Sequence, residues 1–197
     1  MRLRPAILFA LGSLAVLAAC REKEISHYRV PKEEAPTPPP GLAADAGMAA
    51  TAVPTAQGAG LTWSAPQDWA PKALDAMRRG SFTVKGADGA EADLSITAFP
   101  GDVGGELANV NRWRGQVKLP SIAAADLPAA TTKLSAHGLE FTVVDLTSPD
   151  AAAPTRILGA LVSHDGNTWF FKLMGPSALV AQQKPAFLAF LQTVQAP

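Results

Sequence analysis

The sequence has almost no cysteine and few histidines. One cysteine, Cys20, stands in a chain of 197 residues, and the three histidines are His27, His137 and His164. A disulfide within the chain is therefore excluded, and so is a zinc site built on several thiolates. The histidines are too widely separated to form a local metal-binding motif. We therefore predict no cofactor and no metal, and we expect the apolar core alone to hold the folded domain together.

An excess of charge of one sign is lacking as well. The 17 basic and 17 acidic residues cancel, so nothing in the overall charge steers the protein towards nucleic acid. The chain also lacks a Gly-x-Ser-x-Gly motif and a Walker A loop, which mark many hydrolases and nucleotide-binding proteins. His137 and His164 stand beside turn residues. We therefore expect a protein that is not an enzyme, and an envelope enzyme of hydrolase type with an unrecognised site stays as the alternative.

The first twenty residues have the pattern of an export signal. Arg2 and Arg4 precede an apolar run over residues 5–19, which has the length of a secretory h-region and falls short of the roughly 20 residues that span a membrane. The segment Leu17-Ala18-Ala19-Cys20 resembles the lipobox of bacterial lipoproteins. This resemblance implies transfer of diacylglycerol to the Cys20 thiol, cleavage before Cys20 and acylation of the new amino terminus. The alternative is an ordinary signal peptide with a chance cysteine.

Lipidation at Cys20 would make the membrane the first partner of the protein. Each buried CH₂ group contributes about 0.8 kcal/mol, so two or more acyl chains give stable anchoring. The residue after Cys20 is Arg21. In proteobacterial lipoproteins an aspartate at that position retains the protein in the inner membrane, so the resemblance favours the outer membrane. We predict a membrane-anchored lipoprotein that faces the periplasm, with an envelope protein or a glycan as its further partner.

The chain divides into three parts: a signal peptide (1–19), the lipidated cysteine with a tether (20–60), and one domain (61–197). Residues 35–60 are mostly Ala, Pro, Gly and Thr, a composition that cannot bury enough apolar area to offset the entropy of ordering. Residues 21–34 form either a solvated stalk, which we favour, or a short docking strand. The domain is large enough to fold without disulfides.

Alternating apolar residues and turn signals predict an α+β fold, with an antiparallel sheet of about seven strands flanked by helices. Ser177 is predicted to be the N-cap of a short helix that ends near Gln183, and Pro185 to begin a second helix. A helix is also predicted over residues 105–118. The predicted strands are 61–66 and three hairpins: 77–86 with 91–100, 129–138 with 139–148, and 155–164 with 167–175, the last around Asp165-Gly166.

Two segments resemble known domains. Residues 63–69, Trp-Ser-Ala-Pro-Gln-Asp-Trp, and the closing segment 169–194 resemble the first strand and the last strand and helix of PsbP-like domains. This resemblance implies an α/β/α sandwich around an antiparallel sheet, in a non-catalytic binding or assembly module. Residues 100–120 resemble a group of uncharacterised bacterial lipoproteins, which brings no known activity with it.

The candidate binding site lies in residues 99–116. A glycine-rich loop, Pro100–Gly105, enters a helix, and such a junction presents free N–H groups to an anion. Asp102 and Glu106 would repel an anion, however, and could themselves cap the helix. We favour capping and keep anion binding as the alternative.

The helix after this loop carries both an apolar stripe and polar residues. The stripe predicted to face the core consists of Leu107, Val110, Trp113 and Val117. Trp113 is expected to pack in the core and not to stack on a ligand. Asn109, Arg112 and Gln116 are expected to face solvent, and Asn111 and Arg114 to lie at the border of the stripe.

Two interpretations of these polar residues stay open. Two amides and two guanidinium groups could bind a peptide backbone, a carboxylate or a glycan. Alternatively, the segment fixes the loop to the sheet, with Arg114 held by loop carbonyls or by Asp102. The candidate binding residues are Asp102, Asn109, Asn111, Arg112 and Arg114.

Overall fold

A seven-stranded antiparallel sheet organises the chain in the computed structural model, which describes residues 60–197. The predicted signal peptide, the lipidated Cys20 and almost all of the tether lie outside the described residues. The strand order is β1-β2-β3-β7-β6-β5-β4. The strands are β1 (Trp69–Pro71), β2 (Arg78–Lys85), β3 (Glu91–Pro100), β4 (Thr132–Ala136), β5 (Leu139–Thr147), β6 (Thr155–His164) and β7 (Asn167–Pro176). The helices are α1 (Gly105–Gln116), α2 (Leu127–Ala130) and α3 (Ser177–Gln192), with a 3₁₀ turn at Ala124–Asp126.

All three predicted hairpins are confirmed: β2 pairs with β3, β4 with β5 and β6 with β7. The two tight turns have positive φ at both central residues, 48° and 76° at His137-Gly138 and 47° and 68° at Asp165-Gly166. This backbone matches the right-handed twist of the flanking strands, which is why Asp-Gly is so strong a hairpin signal.

The predicted first strand, residues 61–66, is wrong. Only Thr62 makes a β-bridge, an isolated one with Gln195. The true edge strand begins three residues after Pro66, where a turn bond from the Trp69 amide to the Pro66 carbonyl (3.1 Å) redirects the chain. The turn places the Trp69 side chain in the core against Phe190, at a ring distance of 5.3 Å.

The two predicted C-terminal helices form one continuous helix, α3, with Pro185 inside it and Pro176 at the N-cap position. Ser177 is therefore the first helical residue, not the N-cap. A proline inside a helix removes one backbone hydrogen bond, but the apolar residues before and after Pro185 bury against the same face of the sheet, and this shared burial keeps the helix in one piece. The buried residues are Leu179, Val180, Phe187, Phe190 and Leu191. No helix in residues 60–197 is long and apolar enough to cross a membrane.

Helices cover both faces of the sheet, which confirms the predicted α+β fold and gives it three layers. On one face α3 packs over a core whose largest residues include Phe141 and Phe171. On the other face α1 packs on β5 and β6, with Trp113 and Val110 over Ile157. The sheet therefore lies between two helical layers.

Candidate functional site

The glycine-rich loop makes a tight left-handed path from β3 into α1. Positive φ angles occur at Gly101 (75°), Val103 (50°), Gly104 (89°) and Gly105 (78°), a conformation that glycine adopts at little cost. The loop is fixed to the β6–β7 hairpin at Gly101, whose carbonyl accepts the Thr168 hydroxyl (2.6 Å) and whose amide donates to the Gly166 carbonyl (2.8 Å). The start of α1 is therefore held in place by the sheet.

The predicted capping of α1 by Asp102 and Glu106 is wrong. The N-cap residue is Gly104, and no side chain caps the helix there. The Glu106 carboxylate instead accepts hydrogen bonds from Lys133 Nζ (2.7 Å) on β4 and Thr142 Oγ1 (2.6 Å) on β5. Burial favours the neutral form of Glu106, but these two bonds outweigh it and keep the pKa of the carboxyl below its usual value. Glu106 thus ties the helix to the sheet.

An acidic cleft of about 350 Å³ lies at the start of α1. The carboxylates of Asp102, Glu106 and Glu140 line it, beside Ser163 and Thr168. Three carboxylates in one cleft repel an anion, so this arrangement argues against the alternative of anion binding. In residues 60–197 no group of three or more His, Cys, Asp or Glu is arranged to hold a metal ion.

Asn109 does not face solvent as predicted. Its side chain is buried, with 1% exposure, because the glycine-rich loop folds back over it. The Asn109 amide donates to the carbonyls of Gly105 (2.7 Å) and Val103 (3.2 Å), and its oxygen accepts a hydrogen bond from Arg112 Nη1 (2.6 Å). The Arg112 side chain, in contrast to that of Asn109, is exposed.

Asn111 and Arg114 lie half-buried at the border of the apolar stripe, as predicted. Asn111 Oδ1 accepts a hydrogen bond from the Ile122 amide (2.8 Å), and Asn111 Nδ2 donates one to the Ile122 carbonyl (3.0 Å). Arg114 Nε donates to the carbonyl of Pro120 (2.7 Å). Three of the five candidate residues therefore bind the chain's own backbone, which favours the interpretation that this segment fixes its loops. Asp102 and Arg112 are the two candidates whose side chains remain exposed.

A larger cleft, of about 590 Å³, lies between α3 and the β4–β5 edge of the sheet. The pairing of β4 with β5 begins at Thr132 and Val143, and β5 continues four residues further, as Val144–Thr147. The floor of the cleft is formed by the buried Val143 and Leu158, and its sides by the half-buried Leu134 and Leu188. Its size falls within the range of ligand-binding pockets, about 300–1,000 Å³.

The rim of this cleft carries an ion-paired cluster. Asp145 accepts two hydrogen bonds from Arg156, both 2.6 Å, and one from Lys184 Nζ at 2.8 Å. Burial alone would raise the pKa of Asp145, but the bonds from Arg156 and Lys184 outweigh it and lower the pKa. Asp145 therefore stays ionised at neutral pH.

The sequence carried one signal for this cleft. Along β5, Leu139, Phe141, Val143 and Asp145 share the face that packs on α3, and the first three are buried. A carboxylate in the next position of an apolar row indicates a polar feature at the edge of the core. Sequence reasoning missed it, because the cationic partners come from β6 and α3, which are distant in sequence.

The fold and the cleft define a three-layer α+β domain with a ligand-sized groove at one edge of its sheet. No protein-family model and no curated protein sequence matches the chain. Solved structures give loosely similar folds. LpqN of Mycobacterium tuberculosis, involved in cell envelope biogenesis, aligns with a TM-score of 0.46 and 12% identity over 69% of this chain and 82% of its own. A protein of Bacteroides thetaiotaomicron aligns with a TM-score of 0.41 and 9% identity over 70% of this chain and 45% of its own. A Pseudomonas aeruginosa protein of unknown function aligns with a TM-score of 0.35 and 12% identity over 70% of this chain and 83% of its own.

Proposed function

We propose that this chain is a lipid-anchored, non-catalytic binding module of the bacterial cell envelope, related to PsbP-like domains. Cys20 anchors it to a membrane, preferably the outer one, and the domain faces the periplasm. The ligand is an extended segment of an envelope protein, held in the cleft between α3 and β4. The observation that carries the proposal is the apolar floor of this cleft beside the edge strand of the sheet.

An extended peptide fits this cleft better than the other partner considered, a glycan. β4 is the edge strand, and its residues Thr132–Ser135 line the cleft. The floor residues Val143 and Leu158 belong to β5 and β6, so an extended peptide can lie in the cleft beside β4 and place alternate side chains on this floor. Burying two leucine-sized side chains there contributes about 3–6 kcal/mol before the costs of association. The cleft lining, drawn from residues 129–192 of the described chain, includes no aromatic ring on which a sugar could stack.

The charged rim suits binding better than catalysis. A general acid or base needs a pKa near the working pH, whereas the pKa of Asp145 is lowered and three N–H groups already occupy its oxygens. His137 and His164 stand at hairpin turns, and neither lines one of the two clefts described above. No specific observation favours the hydrolase alternative.

The cleft is tested by blocking it in the native lipoprotein. Leu188→Trp fills the cleft, and Ala189→Trp, an exposed neighbour on the same helix, is the matched control. Each variant is cross-linked in its own membranes and its partners are quantified by mass spectrometry, after thermal melting has shown that both are folded. We expect a partner shared by the wild type and Ala189→Trp and lost in Leu188→Trp. Equal partner yields in the two variants would contradict a role of the cleft.

The anchor is tested separately. In cells that express the full chain, Cys20→Ser should move the protein from the membrane fraction to the soluble fraction, because no acyl chain can be attached. Retention of this variant in the membrane would contradict lipidation at Cys20 as the source of anchoring.

A further inference from the structure

The loop between β1 and β2 exposes two large apolar side chains. Leu74 is 59% exposed and Met77 is 43% exposed, and no other large apolar side chain in residues 60–197 is comparably exposed. Single exposed apolar residues are common on protein surfaces, so their surroundings decide what they mean.

The loop is ordered by its own hydrogen bonds. The Lys72 amide donates to the Ser81 carbonyl (2.8 Å) at its base, and the Asp75 carboxylate accepts the amides of Met77 (2.8 Å) and Arg78 (2.9 Å) at its tip. Leu74 and Met77 are therefore held on a defined turn on either side of Asp75.

Cations gather on the sheet beside this loop. Lys72 Nζ and Arg78 Nη1 share one carboxylate, Asp93, at 2.7 and 3.0 Å. Lys172 on β7 lies on the same face and donates to Gln116 at 3.1 Å. Burial lowers the pKa of Lys172 and the charge of Arg78 lowers it further, while Asp93 acts in the opposite direction. Lys172 pairs with Ser95, two residues along β3 from Asp93, and therefore lies beside this cluster.

This surface, which we call the cationic face, carries four cations and three carboxylates: Lys72, Arg78, Lys85 and Lys172 with Asp75, Glu91 and Asp93. Its charged side chains are partly exposed, at 44% for Lys72 and 27% for Arg78, and α1 makes its main contacts further along the sheet, with β5 and β6. The strand residues that point to this side are small and polar: Thr83 and Thr97 are half-buried, whereas Ser81 and Ser95 are buried, and Ser81 Oγ accepts a hydrogen bond from Arg78 Nη1 (2.8 Å). An apolar tip in front of a polar, cationic surface differs from a protein interface, where the apolar part lies at the centre, and it suits a membrane surface.

We propose that the β1–β2 loop and the cationic face dock the domain on an anionic phospholipid bilayer. Leu74 and Met77 enter the interfacial region, and Lys72 and Lys172 face the phosphate groups of the lipids. The predicted anchor at Cys20 places a bilayer within reach of this face.

Docking would also orient the cleft. β1 and β4 are the two edge strands of the sheet, and with strands about 4.8 Å apart the two edges are separated by roughly 29 Å. The cationic face also lies on the α1 side of the sheet and the cleft floor, Val143 and Leu158, on the α3 side, so a docked domain holds the α3–β4 cleft away from the lipid. Membrane docking goes beyond the proposed binding function and does not depend on it, because no cleft residue contacts the lipid.

Vesicle sedimentation tests the proposal without the lipid anchor. The processed chain, residues 20–197 with Cys20→Ser, is mixed with vesicles of phosphatidylcholine alone or of phosphatidylcholine with phosphatidylglycerol. We expect binding to the anionic vesicles only, weakened by salt. Leu74→Ser combined with Met77→Ser should lower the partition coefficient about tenfold, because two apolar side chains leave the interface.

The matched pair of charge variants is Lys72→Gln and Lys133→Gln. Each lysine lies 2.7 Å from one carboxylate, with side-chain exposures of 44% and 55%, but they stand at opposite edges of the sheet. Lys72→Gln should weaken vesicle binding by up to about fivefold, and Lys133→Gln should leave it unchanged. Equal effects of the two, an unchanged double loop variant, or equal binding to both vesicles would overturn the proposal. Failure to bind either vesicle, with a cross-linked protein lost in the double loop variant, would assign the face to a protein partner instead.

Discussion

The contact between Trp113 and Gly159 yields the sharpest stability prediction. Trp113 is 5% exposed, and its indole ring lies directly over Gly159 on β6. A Cβ atom at position 159 would stand 2.6, 2.7 and 3.0 Å from three carbons of this ring. The ring also packs edge-on against Phe170, at 6.0 Å and 88°. It therefore has little room to move aside, and β6 accepts only glycine at this place.

The magnitudes follow from this geometry. Gly159→Ala overpacks the site at about 1–3 kcal/mol, reduced by the roughly 0.5–1 kcal/mol by which alanine is preferred over glycine inside a strand. Trp113→Ala removes a buried aromatic side chain at about 3–5 kcal/mol. When Trp113 is already alanine, the clash is gone, so Gly159→Ala should then be neutral or slightly stabilising. The coupling energy between the two sites should reach about 1–3 kcal/mol.

Urea unfolding of the wild type, the two single variants and the double variant measures this coupling. The free energies are compared by linear extrapolation, with the slopes checked for equality. If Gly159→Ala costs the same with and without Trp113, the packing account is wrong. If Trp113→Ala left the free energy of unfolding nearly unchanged, Trp113 would instead be a candidate for stacking on a ligand.

Four further substitutions test other contacts, each by urea unfolding. Asp145→Asn should cost about 1–2 kcal/mol at pH 7. The pKa of Asp145 is lowered in the folded state, so the ionised carboxylate stabilises the fold above its unfolded pKa, near 4, and this stabilisation is lost as the pH falls through the folded pKa. Between pH 5 and pH 2 the Asp145→Asn variant should therefore lose less stability than the wild type. An equal loss of stability in the two proteins would contradict this account. Asn111→Ala should cost about 1–3 kcal/mol by unpairing both backbone groups of Ile122, whereas the exposed Arg112→Ala should cost under about 1 kcal/mol; the reverse order would contradict the loop-fixing role. Pro185→Ala should stabilise α3 by about 1–3 kcal/mol by restoring a helical hydrogen bond, and a loss of stability would show that the proline is needed.

The hairpins were predictable because their signals are local. The alternating apolar residues of β6 and β7 and the Asp165-Gly166 turn lie within about twenty residues of sequence, and the observed strand pairing and turn angles agree with them. The C-terminal helix was not predictable in the same way. Ser177 and Pro185 are good local boundary signals, but burial of both halves of the helix on one sheet face outweighs them. Tertiary packing often overrides local propensity in this manner.

The candidate site shows the same division. The apolar stripe of α1 was predicted from helical spacing, and Val110, Trp113 and Val117 are buried as expected. Asn109 lies four residues before Trp113 and therefore borders that stripe, so helical spacing indicated partial burial; the glycine-rich loop that folds over Asn109 and completes its burial was not predictable from helical spacing. The α3–β4 cleft depends on contacts between residues 129–145 and 184–192, so it arises only when the chain has folded.

The measurement that tests the central claim most directly is photo-cross-linking inside the cleft in living cells. A photoreactive amino acid is placed at Leu188, and at Ala189 as the control outside the cleft, in the full lipid-anchored chain. The account predicts one specific protein adduct from position 188 that is absent at position 189, and whose cross-linked peptide is an extended segment. No adduct at position 188, or the same adducts at both positions, would contradict the claim that this cleft binds a partner.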